Sequence, residues 1–89
     1  MPVRFLIRGV VQGVGFRWFV LREAHRLEVR GWVSNLADGS VEVVAEGPAG
    51  SLTELQQALA RGPGAAQVSG VEKVDVQHDI VMPNFFQIK

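Results

Sequence analysis

Along residues 3–10, Val3, Phe5 and Ile7 alternate with Arg4 and Arg8. A period of two marks a strand with one buried face. Leu6 interrupts the alternation, so part of the second face is expected to be covered as well. The period then lengthens. Phe16, Phe19, Val20, Ala24 and Leu27 recur at helical spacing with Arg22, Glu23 and Arg26 between them, which predicts a helix over 16–27. Strands are predicted over 29–35 and 41–47, the second with Val41, Val43 and Ala45 opposing Glu42 and Glu46. Asp38-Gly39 is a turn signal that joins these two strands into a hairpin. Residues 51–54, Ser-Leu-Thr-Glu, read as a capping box, with Ser51 as the cap and Glu54 reaching back. Leu52, Leu55 and Leu59 form the apolar stripe of that second helix, and Gly62-Pro63 stops it. A fourth strand over 71–77 sets Val74 and Val76 against Lys73 and Asp75. A short fifth strand over 85–89 follows Pro83.

The order βαββαβ plus a short β, with two amphipathic helices, predicts an α+β ferredoxin-like sandwich. Both helices would cover one face of a mainly antiparallel sheet. At 89 residues, 47% of them hydrophobic, the chain is expected to form one domain over 1–89. Cysteine is absent, which excludes disulfides, thiolate metal sites and a cysteine nucleophile. Residues 1–11 carry arginines at 4 and 8 inside the apolar run, unlike a signal peptide. No stretch approaches the roughly 20 apolar residues of a membrane span. A cytoplasmic location, no membrane association and a monomer are expected.

Charge changes the picture in one respect. Nine basic and nine acidic residues give a net charge of zero, yet residues 1–30 hold six arginines against two glutamates. The balance argues against a binder of bulk nucleic acid, while the early positive surplus favours an anionic ligand.

The loop Gln12-Gly13-Val14-Gly15-Phe16-Arg17 lies between the first strand and the first helix. A dinucleotide fingerprint would need a small residue at 18, where Trp18 stands, and a Walker loop would need a lysine. What survives is the shared physics. A strand end, a glycine-bearing turn and a helix start can aim several main-chain N–H groups at one anion. Arg17 would add a planar fork of donors. A cation at a helix N-terminus opposes the helix dipole by about 0.3–1 kcal/mol, a cost offset if an anion sits between them. Spacing alone is equally compatible with a plain glycine turn and a solvated arginine.

Val-Val-Gln-Gly-Val-Gly-Phe-Arg-Trp-Phe at 10–19, together with residues 30–47, Arg-Gly-Trp-Val-Ser-Asn through Ala-Glu-Gly, resembles the acylphosphatase family. Residues 61–68, Arg-Gly-Pro-Gly-Ala-Ala-Gln-Val, and Phe85-Phe86-Gln87-Ile88 extend the resemblance over nearly the whole chain. The resemblance implies hydrolysis of an acyl phosphate to a carboxylate and inorganic phosphate. By it, Gln12, Gly13, Val14, Gly15, Phe16 and Arg17 cradle the phosphoryl group, Arg17 grips it, and Asn35 positions the attacking water. It implies no metal and no cofactor, with phosphate as product and competitive inhibitor. On its own, Asn35 at the head of a hairpin loop reads as a turn residue.

Other residues suggest less. His25 is expected to be exposed, and His78 and Asp79 have no partner at metal-ligand spacing. Trp18 and Trp32 read as packing residues, Trp18 also as a border of the substrate mouth. Glu28 stands where many family members carry glycine, so that helix end must either stop differently or accept strain. Two other classes compete: a ferredoxin-like nucleic-acid binder, disfavoured by the zero net charge and absent tyrosine, and a phosphate-binding regulatory module without turnover.

Overall fold

The computed structural model describes residues 1–76 and 80–89. Five strands form one sheet: β1 (Val3–Val10), β2 (Arg30–Asn35), β3 (Val41–Glu46), β4 (Gln67–Val74) and β5 (Phe86–Ile88). Their spatial order is β4-β1-β3-β2-β5. β5 runs parallel to β2, and the other pairings are antiparallel. Helices α1 (Phe16–Arg26) and α2 (Ala49–Arg61) complete the chain order β1-α1-β2-β3-α2-β4-β5. The architecture is the ferredoxin-like sandwich expected from the residue pattern. No described helix is long and apolar enough to cross a membrane.

Register explains which side chains share a face. Phe5 pairs with Val43, and Val43 with Val33, a row that is fully buried. The next row, two residues further along β1 and β2, is Ile7, Val41 and Asn35. α1 buries Phe16, Val20 and Ala24 against this face, and α2 buries Leu55, Ala58 and Leu59. Burial of such side chains contributes about 1.5–3 kcal/mol for each large one. The other face is covered by charge. Arg4 pairs with Glu42 at 2.7 Å, Arg30 with Glu46, and Arg8 with Glu72 at 3.5 Å. Beneath that lattice Val44 is buried and Leu6 half-buried, which accounts for the broken alternation in β1.

Two sequence expectations need correction. The capping box does not form: α2 begins at Ala49, and no side chain caps it. Pro48 has φ −58° and ψ 145°, and its carbonyl accepts the Leu52 N–H at 3.0 Å. That opens the hydrogen-bond ladder before Ser51, which becomes an interior residue of the first turn. The fourth strand begins at Gln67 rather than at 71 and ends at Val74, so Val76 lies beyond it. It is an edge strand paired only to β1, with a register shift at Arg8/Gly9, and no residue in it is buried. A bulged edge strand has no two-residue alternation to read. His78 and Asp79 lie outside the described residues.

Helix α1 ends by accepting strain. Glu28 has φ +58°, and no other non-glycine residue among those described has a positive φ. The Glu28 N–H donates to His25 O at 3.2 Å, and the Val29 N–H to Ala24 O at 2.9 Å. That pair of bonds is a Schellman motif with glutamate in the position glycine usually takes.

Candidate active site

β1 and β2 run in the same direction on either side of β3, so both end at one edge of the sheet. The loop that follows β1 and the residue that closes β2 therefore face each other across the start of β3. Two strand spacings separate them, about 10 Å of backbone. Asn35 shares a row with Ile7 and Val41, and thus lies on the helix-covered side. This topology brings the Gln12–Arg17 loop and Asn35, 18 residues apart from Arg17, to a common corner.

Main-chain geometry shapes that corner. Gly13 has φ +75°, and Gly15, the N-cap of α1, has φ +78° and ψ +19°. A Cβ at either position would meet nothing within 4 Å, so glycine is required for its backbone angles and not for space. Gly15 offers no side-chain cap, and the first turn of α1 has no acidic residue. The first intrahelical bond at this end runs from the Phe19 N–H to Gly15 O at 3.0 Å. The N–H groups of Phe16, Arg17 and Trp18 precede it and have no helical acceptor. Phe16 is buried and anchors the turn, and Val11 does the same before it.

Arg17 stands on this first turn, half-buried. Its Nη1 donates to the main-chain oxygen of Lys89 at 3.3 Å. The Lys89 N–H donates to Val33 O at 2.8 Å, and its Nζ lies 4.1 Å from the centre of the Trp32 ring. The chain after β5 thus carries an acceptor to the guanidinium, a contact that sequence spacing could not reveal.

The Gln12 side chain points elsewhere. Its Nε2 donates to Leu36 O and to Ser40 O, both at 2.8 Å. What Gln12 can offer an anion in the cradle is therefore its main chain. Ser40 is buried, and both its N–H and its hydroxyl donate to Asp38 Oδ1. The Ser40 hydroxyl first, and its N–H second, hold the Asp38 carboxyl below its ordinary range. Asn35 itself is exposed. Trp18, read as a packing residue or a border of the substrate mouth, is 64% exposed and so does not pack in the core, whereas Trp32 is half-buried on the open sheet face. His25 is exposed as expected, with Nε2 3.4 Å from Phe86 O.

Two concavities lie elsewhere, one lined by Met1, Arg30 and Glu46 and the other by His25, Glu28 and Phe86. Neither includes Arg17 or Asn35. A small tetrahedral anion held by main-chain donors and one guanidinium needs convergence of N–H groups more than depth.

The family model described as acylphosphatase matches residues 3–88. An acylphosphatase of Koribacter versatilis (strain Ellin345) is 48% identical over 82 residues, covering 92% of this chain and 74% of that relative. The crystal structure of acylphosphatase from Bacillus subtilis superposes with a TM-score of 0.84 at 36% identity, over 99% of this chain and 97% of that one. The crystal structure of T. kodakarensis HypF matches all of this chain with a TM-score of 0.85 at 34% identity, but through only 12% of its own length. Matched across nearly its whole length in sequence and in fold, the chain belongs to the acylphosphatase family.

Proposed function

We propose that this chain, an acylphosphatase, acts by in-line attack of a water held by Asn35 on a phosphoryl group cradled by the Gln12–Arg17 loop. The leaving group is a carboxylate, a weak base that departs without a general acid. Catalysis then reduces to placing water and stabilising charge on the equatorial oxygens. The Arg17 guanidinium supplies two parallel donors to those oxygens. The left-handed turns at Gly13 and Gly15 direct main-chain N–H groups at the others. The Asn35 amide orients the water through its carbonyl and NH₂ groups and has no basicity to deprotonate it. A phosphoryl oxygen takes the proton as the P–O bond forms.

One observation carries this reading. Arg17 and Asn35 stand at the same corner of the sheet, at the ends of structural elements that flank β3. The decisive assay is phosphate release from benzoyl phosphate, without added metal, by the native protein and by Arg17→Gln and Asn35→Ala. Loss of a charge-stabilising donor costs on the order of 10²–10³ in kcat. Both variants are expected to fall by that order while keeping the native circular dichroism spectrum. Inorganic phosphate should inhibit competitively, and less tightly after Arg17→Gln. A folded native protein with no turnover above background would sink the catalytic reading and leave a phosphate-binding module.

A further inference from the structure

We propose that Gln12 is a positioning residue that sets the distance between the phosphate cradle and Asn35. The proposal rests on the mechanism above and assigns Gln12 a role on the Asn35 side of it. The Gln12 carboxamide has two N–H groups on one nitrogen, and both are engaged across 24 and 28 residues of sequence. Their acceptors, Leu36 O and Ser40 O, form the neck of the β2–β3 hairpin loop. Within that loop the Leu36 N–H donates to Ser40 O at 2.9 Å, and the Gly39 N–H to Leu36 O at 3.2 Å. Each carbonyl therefore accepts once from inside the loop, and its second lone pair is free for Gln12. One neutral amide closes the loop from outside at both ends.

The side chain is fixed at its base as well. Val11, immediately before it, is 1% exposed and belongs to the core. Gly13, immediately after it, opens the cradle. Gln12 is thus a strut with one end in the cradle and the other on the residue that follows Asn35. Asn35 is exposed and gains little order from packing, so its backbone must carry the precision of its position. A displacement of about 1 Å in a group that places a nucleophile can cost on the order of 100-fold in rate. No carboxylate could replace this amide, because it would set its lone pairs against two carbonyl oxygens.

The test is a double-mutant cycle on benzoyl phosphate hydrolysis. Gln12→Met keeps the length and removes both donors; Gln12→Glu keeps the shape and reverses their polarity. Each is made in the native chain and in Asn35→Ala, assayed at high enzyme concentration for kcat, KM and the inhibition constant of phosphate. The expected result is a kcat lowered by about tenfold or more, with KM and phosphate inhibition within about twofold of native. In the Asn35→Ala background, Gln12→Met should lower kcat no further. Phosphate affinity falling in step with kcat would overturn the proposal in favour of Gln12 as a phosphate ligand. The same fractional loss with and without Asn35 would overturn it in favour of a general structural role. If Gln12→Met fails to fold, the native protein decides by NMR: the Gln12 side-chain amide protons should exchange slowly and show contacts to Leu36 and Ser40. Rapid exchange without those contacts would overturn the proposal. A native protein without turnover is a separate outcome, seen before any Gln12 variant is made, and it removes the catalytic reading itself.

Discussion

Replacing Glu28 by glycine should stabilise the protein. Glu28 occupies the left-handed region at φ +58°, where the C-terminal bonds of α1 require it. A residue with a Cβ loses about 1–2 kcal/mol there relative to its right-handed conformation. Glycine escapes that cost but adds freedom to the unfolded chain, worth about 0.4–1 kcal/mol in the opposite sense. The net gain is about 0.5–1 kcal/mol. For 89 residues the unfolding entropy is about 0.19 kcal/mol/K, so Tm should rise by about 3–5 °C. Glu28 is exposed, so no packing is lost. Its charge is a separate matter, because a carboxylate near a helix C-terminus is itself unfavourable. Glu28→Ala separates the two effects: it removes the charge and keeps the left-handed strain. Urea unfolding of native, Glu28→Ala and Glu28→Gly proteins, with m held constant, isolates the backbone term as the difference between the two variants. Turnover should be unchanged, since Glu28 lies at the far end of α1 from Arg17. A glycine variant no more stable than the alanine variant would refute the reasoning and mean that residue 28 is not strained in solution.

Gly15→Ala tests the opposite case at the start of the same helix. Its Cβ would meet no neighbour, so the cost should be conformational alone, about 1 kcal/mol, with weaker phosphate inhibition; a loss above about 3 kcal/mol in urea unfolding would reveal a clash where the structure has open space. Asp38 links the β2–β3 hairpin to pH. Its folded carboxyl is held below the ordinary value of 3.8, so its contribution is present above that value and fades as pH falls through the folded pKa. Asp38→Asn keeps an oxygen acceptor for Ser40 but cannot titrate. Urea midpoints followed from neutral pH down to acid should therefore fall more for the native protein than for Asp38→Asn below that range, and parallel curves would contradict the assignment.

The sheet core was legible because its strands are exposed on one face and buried on the other. Phe5, Ile7, Val41 and Val43 alternate in sequence because register puts them in rows under the helices. The first helix was legible from Phe16, Val20 and Ala24 for the same reason. The start of α2 was misread because a local Ser-x-x-Glu signal competes with Pro48, whose fixed φ and free carbonyl start the helix sooner. The first half of β4 was missed because an edge strand against a bulge buries little. At the candidate site, Gly13, Gly15, Arg17 and Asn35 stood out by motif. Their meeting at one corner follows from two parallel-running strands flanking a third. The two hydrogen bonds of Gln12 and the contact of Arg17 with Lys89 span 24 to 72 residues, and no local pattern encodes them.

The arginine surplus of the first thirty residues looked like a general attraction for anions. Structure redistributes it. Arg4, Arg8 and Arg30 face Glu42, Glu72 and Glu46 on the open side of the sheet, and Arg26 pairs with Glu23 along α1. Pairs this exposed contribute about 0–1 kcal/mol each, so stability is not their main consequence. They set opposite charges side by side across the open face. Among the described residues, Arg17 has no carboxylate side chain as partner; its acceptor is a main-chain oxygen. It also sits where the unpaired N–H groups of α1 emerge, and the two positive fields add there. A chain of zero net charge can therefore bind one small anion at one corner without a broad basic surface that would attract polyanions. The phosphoryl site proposed above would draw on that localised positive field at one corner of the sheet.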